Sequence, residues 1–144
     1  MTRLSPHFTL EEMTYSDTAN RLKIHNIPPT QAVKNLGYLA HNLLEPLREY
    51  LGKPIIITSG YRGEILNRKV GGAKTSQHLY GQAVDIQIAG MNPLQLFLYI
   101  KESGLDYDQL ILERTKKAEW VHVSYTKHNR HQALHYINGV YTLD

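Results

Sequence analysis

The sequence contains no cysteine. That excludes a disulfide scaffold, a thiol nucleophile and any Cys-ligated zinc or iron–sulfur site. Any metal must be held by His, Asp, Glu or backbone oxygen. No apolar run approaches the ~20 residues of a membrane-spanning helix, so no span is predicted. The opening residues MTRLSPHFTLEEM lack the apolar core of a signal peptide, so no export signal is expected. Neither sign of charge dominates: 16 Lys and Arg stand against 13 Asp and Glu, a net +3. The basic residues are scattered and form no stripe with interleaved aromatics, which argues against a nucleic-acid role. The mild positive charge suits contact with an anionic polymer without specifying one. No internal repeat or low-complexity segment is visible.

What remains is an ordinary globular composition. The 144 residues are 42% hydrophobic and 20% charged. That fits one domain, 1–144, large enough to build a core without staples. Residues 1–29 read as an irregular N-terminal segment. Within it, Thr9 and Glu12 form a capping-box pattern, and Ser16-Asp17 starts a second short helix. From Thr30, Val33, Leu36, Leu39-Ala40, Leu43-Leu44 and Leu47 recur at helical spacing. Pro46 predicts a kink or a new turn at Glu45, and Gly52 ends the helix. Ile55–Ser59 reads as a β-branched strand. Residues 62–69 read as a short helix and 73–81 as loop. Gln82–Ile88 alternates as a strand, and Pro93–Ser103 is an amphipathic helix. Strands are predicted at 108–113, 120–125, 131–137 and 140–143, with Asn138-Gly139 as a hairpin turn. The expected fold class is α+β: a small antiparallel meander with the N-terminal helices packed on one face.

Eight histidines make chance pairs easy, and most read as surface or satisfied core residues. Three features stand apart. His78 lies in a loop. Asp85 lies on the polar side of the following strand, opposite Val84 and Ile86. His122 lies between Val121 and Val123, on the corresponding polar side of another strand. If the two strands share a sheet, Asp85 and His122 stand on one face with His78 arching over it. Two imidazoles, one carboxylate and an open fourth position are the arrangement of a catalytic zinc. Two acids can serve as the base for an attacking water. Strict alternation aims Glu119 away from His122 unless the chain bends there. Glu113 shares the face of His122 if it pairs with Trp120, and loses it if the register slips by one. The spacing leaves both open.

The run Ser76-x-His78-x-x-Gly81-x-Ala83-x-Asp85, followed by Glu119-x-x-His122, resembles the D-alanyl-D-alanine carboxypeptidase family of zinc peptidases. That family includes the D-Ala-D-Ala dipeptidases of vancomycin resistance and the L-alanyl-D-glutamate endopeptidases of phage endolysins. Ile57-Thr-Ser-Gly-Tyr61-Arg62, Asn67, Val70-Gly71-Gly72, Trp120-Val-His-Val-Ser124, Leu4–Phe8 and Leu44–Arg48 carry the likeness through residues 4–137. The resemblance implies Zn²⁺ on His78, Asp85 and His122, with Glu119 as general base and acid. It implies Arg62 as the group that stabilises the oxyanion or binds the substrate carboxylate, and Tyr61, Ser76 and Gln77 as residues that shape the site or bind substrate. The implied fold is the small α+β domain shared with the hedgehog signalling domain. The implied substrate is a peptidoglycan stem peptide, cut at D-Ala-D-Ala or at L-Ala-D-Glu. The alternative is a catalytically inactive, hedgehog-like zinc module that binds cell wall or a protein partner. A monomer is the default, and the lack of an export signal fits a lysis enzyme of the phage or mobile-element type.

Overall fold

The computed structural model describes residues 1–144. The N-terminal segment is more ordered than its composition suggests. Strands β1 (Arg3–Ser5) and β2 (Phe8–Thr9) form a two-stranded antiparallel ribbon. Helix α1 (Leu10–Thr14) starts with the expected capping box: the Glu12 backbone N–H donates to Thr9 Oγ1 at 3.2 Å, and the Thr9 N–H to Glu12 Oε1 at 2.8 Å. Helix α2 (Asp17–Leu22) is capped by Ser16.

Helix α3 (Thr30–Leu39) begins at Thr30, with Pro29 rather than a side-chain acceptor at its cap. It runs into a π-helical turn, Ala40–Leu44, before α4 (Glu45–Leu51). Pro46 accounts for the interruption, because a proline has no N–H to give to the preceding turn. Gly52 closes α4 at φ +65°. Strand β3 (Ile56–Ser59), helix α5 (Glu64–Lys69), strand β4 (Ala83–Gln87) and helix α6 (Pro93–Glu102) follow. The stretch read as loop contains a 3₁₀ turn, Gln77–Tyr80, capped by Ser76. Strands β5 (Gln109–Arg114), β6 (Glu119–Ser124), β7 (Gln132–Ile137) and β8 (Val140–Leu143) complete the chain.

Six strands make one sheet in the order β3-β4-β6-β5-β7-β8. All neighbours are antiparallel except β5 and β7, which run parallel. The expected wholly antiparallel meander is therefore corrected to a mixed sheet. After β6 the chain passes the start of β5 and enters on its far side. Backbone bonds from His131 N–H to the Tyr107 carbonyl (3.1 Å) and from Gln132 N–H to the Asp108 carbonyl (3.0 Å) hold that crossing. The Asn138-Gly139 turn joins β7 to β8 with both residues at positive φ, 47° and 91°, as the tightest hairpins require.

Strand alternation sorts the sheet into two faces. Val84, Ile86, Leu110, Leu112, Val121 and Val123 join Leu36, Leu39, Leu43, Leu44 and Leu47 of the α3–α4 segment and Phe97 and Ile100 of α6 in one buried core. The opposite face carries the polar residues of the same strands. No helix is long and apolar enough to cross a membrane.

Candidate metal centre

In β4 and β6, Asp85 is paired directly with His122, so both side chains leave the sheet on the same face. His78 comes to them from the 3₁₀ turn. The turn ends at Gly81, in the left-handed conformation at φ +71°. A Cβ at Gly81 would stand 2.4 Å from the Ala32 carbonyl oxygen, so only glycine allows this approach to α3. Asp85 Oδ1 lies 3.3 Å from His78 Nε2 and 3.2 Å from His122 Nδ1. One donor atom from each residue falls within 4.8 Å of the others.

This donor set fits zinc. A tetrahedral ion with arms of about 2.0–2.1 Å separates its ligand atoms by roughly 3.3 Å, close to both of these spacings. His78 is oriented from behind: its Nδ1 is 2.7 Å from the Gly60 carbonyl oxygen. A carbonyl only accepts, so Nδ1 carries the proton and Nε2 keeps its lone pair for a metal. Gly60 has no room for a side chain, since a Cβ would meet the Met13 carbonyl oxygen at 2.0 Å.

The electrostatics favour metal-binding protonation states. Burial holds His78 below the ordinary imidazole range, so it is neutral near pH 7. Burial pushes the Asp85 carboxyl up, but the two histidines beside it prevail and hold it well below the ordinary range. Metal binding needs this neutral imidazole and this carboxylate.

The two acids part company here. Glu113 pairs with Trp120 across β5 and β6 and so faces the same side as His122. Its Oε2 is 3.8 Å from His122 Nδ1 and accepts a hydrogen bond from Trp120 Nε1 at 3.0 Å. Burial raises its pKa above that of an ordinary glutamate, against the pull of His122. Glu119 pairs with Arg114 at the strand end, and its Oε2 accepts from Arg114 Nε at 2.6 Å. It does not line the cleft that holds the other site residues. The bend that would bring Glu119 towards His122 is absent; β6 pairs in continuous register from Glu119 through Val123.

The cleft over this face has a volume of about 740 Å³. Arg62 lines it, held by a backbone bond from its N–H to the His78 carbonyl at 3.0 Å. Its Nε is buried and meets no acceptor in the protein. Burial lowers the guanidinium pKa, while nearby Asp85 and Glu113 act to raise it. Ser76 and Gln77 also line the cleft, although the Ser76 hydroxyl is engaged by the His78 N–H at 3.2 Å. Tyr61 is a correction. It is 7% exposed, packs in the core and does not line the cleft. It follows the end of β3, where its backbone N–H donates to the Met13 carbonyl at 2.7 Å.

Sequence reasoning missed Arg130 and Tyr136, which also line the cleft. No local pattern could have found them, because the parallel placement of β7 beside β5 brings them there. The other histidines stand elsewhere. His131 stacks on Tyr107 at 4.4 Å, and His135 meets Asp144 at 2.6 Å.

A buried His–Asp–His group under an open cleft, with a carboxylate beside it, defines a candidate metallohydrolase centre. The sequence model of the family described as Peptidase M15 matches residues 6–124, so the chain belongs to that family of zinc peptidases, with Zn²⁺ as its cofactor. Among curated proteins, the zinc D-Ala-D-Ala carboxypeptidase of Streptomyces albus G is 43% identical over 44 residues. That match covers 30% of this chain and 17% of the relative's length.

Proposed function

We propose that the protein hydrolyses peptidoglycan stem peptides, at a D-Ala-D-Ala or L-Ala-D-Glu bond, with zinc held by His78, Asp85 and His122. The observation that carries this reading is the convergence of those three residues and Glu113 on one cleft floor. The similarity to a zinc D-Ala-D-Ala carboxypeptidase supports the substrate class.

Zinc supplies a Lewis acid that acidifies water and polarises a carbonyl. Glu113 is the general base in this reading, in place of Glu119. It takes a proton from the attacking water and returns it to the leaving amine. Its raised pKa suits both transfers, and the Trp120 N–H keeps its carboxylate aimed at the site. Arg62 sets a fixed positive charge beside the developing oxyanion. Its unpartnered Nε leaves a donor free for that oxygen. Ser76 shapes the turn that carries His78. The inactive-module alternative leaves the half-buried Glu113 carboxyl beside His122 without a role.

The test is mass spectrometry of purified peptidoglycan digested by zinc-loaded protein beside a chelated control. Zinc-dependent loss of a terminal D-Ala assigns a carboxypeptidase, and release of peptides cut after L-Ala assigns an endopeptidase. No zinc-dependent product would overturn the reading in favour of a binding module.

A further inference from the structure

Asp108, just before β5, is 2% exposed at its side chain, yet four hydrogen bonds satisfy it. Its Oδ1 accepts from Arg130 Nε and from the Arg130 backbone N–H, each at 2.9 Å. Its Oδ2 accepts from Arg130 Nη2 at 2.7 Å and from Gln77 Nε2 at 2.8 Å. A carboxylate bonded this way only accepts. The Gln77 amide nitrogen must therefore face Asp108, and the Gln77 carbonyl oxygen must point away from it. That oxygen is buried and meets no donor in the protein. The guanidinium is likewise gripped on its Nε–Nη2 edge, and its other nitrogen, Nη1, faces no acceptor. Arg130 is 53% exposed at its side chain and lines the cleft together with Gln77. One buried carboxylate thus fixes a cationic donor, Arg130, and a neutral acceptor on Gln77, the residue next to His78.

We propose that Asp108 is a positioning residue that holds Arg130 and Gln77 as a matched pair, and that this pair binds one residue of the substrate by its free carboxylate and its amide N–H. Arg130 takes the carboxylate through the nitrogen that Asp108 leaves free. Gln77 Oε1 accepts the N–H, which removes the cost of an unpaired buried acceptor. The substrate class is then a peptide whose leaving residue carries a carboxylate on the carbon next to its amide nitrogen. This assignment deepens the peptidase reading and rests on it for the identity of the leaving residue. Both proposed bonds meet the requirement, because the terminal D-Ala and the side-chain-linked D-Glu each have such a carboxylate.

The test is calorimetric titration of zinc-loaded protein with N-acetyl-D-alanine and with N-acetyl-D-alaninamide, which carry the leaving residue and its amide N–H without the stem peptide. The wild type should bind the acid at least ~10-fold more tightly, the gain of one charge-assisted contact. Arg130→Gln should bring the acid down to the level of the amide. Arg130→Lys keeps the charge opposite Asp108, should stay folded by thermal midpoint, and should lose most of the preference with the fork. Gln77→Leu should weaken acid and amide alike. Equal binding of acid and amide by the wild type overturns the proposal. So does an acid preference that survives in Arg130→Gln, which would place the carboxylate on zinc or Arg62. A fall in thermal midpoint with an unchanged acid-to-amide ratio would make Arg130 a structural strut and also overturn it. Acid preference without stem-peptide hydrolysis would sink the peptidase reading and leave the binding pair standing.

Discussion

The two faces of the central sheet share the same strands and do opposite work. Along β5, Leu110 and Leu112 sink into the core, while Ile111 and Glu113 line the cleft. Along β6, Val121 and Val123 are fully buried against helices, and His122 and Trp120 face the site. The packed face gains from apolar area removed from water. The open face carries Asp85, His78 and Glu113, buried or half-buried groups that a stable core would avoid. Neighbouring residues one step apart thus serve stability and chemistry separately. A substitution on one face should leave the other face's readout nearly intact.

The largest separation is expected at His122. His122→Ala should abolish zinc retention, measured by metal analysis, and reduce hydrolysis by about 10³-fold or more, with the core face unaltered. Next comes the adjacent pair in β5. Glu113→Gln should keep zinc and lose about 10²–10⁴-fold in turnover. Leu112→Ala should cost about 2–5 kcal/mol in denaturant unfolding, while the protein that remains folded keeps its zinc and its turnover per folded molecule. If Leu112→Ala also releases zinc, the two faces are coupled more tightly than their alternation implies.

A smaller effect should follow from pH. Burial pushes the Asp108 carboxyl up, but the bonds from Arg130 and Gln77 prevail and hold it below the ordinary range. A carboxyl with a depressed folded pKa contributes stability that is present above its unfolded value of about 3.9. That stability is lost as pH falls through the folded value. Thermal midpoints should therefore drop steeply below about pH 4. Asp108→Asn should lower the midpoint at neutral pH and flatten that acid slope. An unchanged slope would assign the acid sensitivity elsewhere. The smallest effect is expected at Glu119, whose partner Arg114 is half-exposed at its side chain. Glu119→Gln should change stability by no more than about 1 kcal/mol and leave turnover within about threefold of wild type, where the base lies at Glu113. A Glu119→Gln variant that keeps zinc but loses turnover would reverse the assignment of the base.

Much of this was legible in the residues, and the illegible part has a common cause. Capping at Thr9 and Glu12, the break at Pro46 and the Asn138-Gly139 turn are local chemistry, set within a few residues of chain. The separation of Asp85 from Val84 and Ile86, and of His122 from Val121 and Val123, follows from the period of a strand. The segment 1–29 looked irregular because its ribbon is only a few residues long and bonds β1 to β2 across a turn. Tyr61 was misplaced because its motif speaks for a site, whereas its ring answers to the core.

By itself, the sequence determined which side chains oppose one another along each strand, and so that Asp85 and His122 would stand on a polar face. Only the tertiary structure decided which acid joins them. Glu113 does so because it pairs with Trp120, and a register one residue away would have turned it into the core. It also decided that β7 lies parallel to β5, which brings Arg130 to Asp108 and both to the cleft. Alternation is a property of one strand, whereas register and strand order belong to pairs of strands and are selected by the packing of the whole sheet.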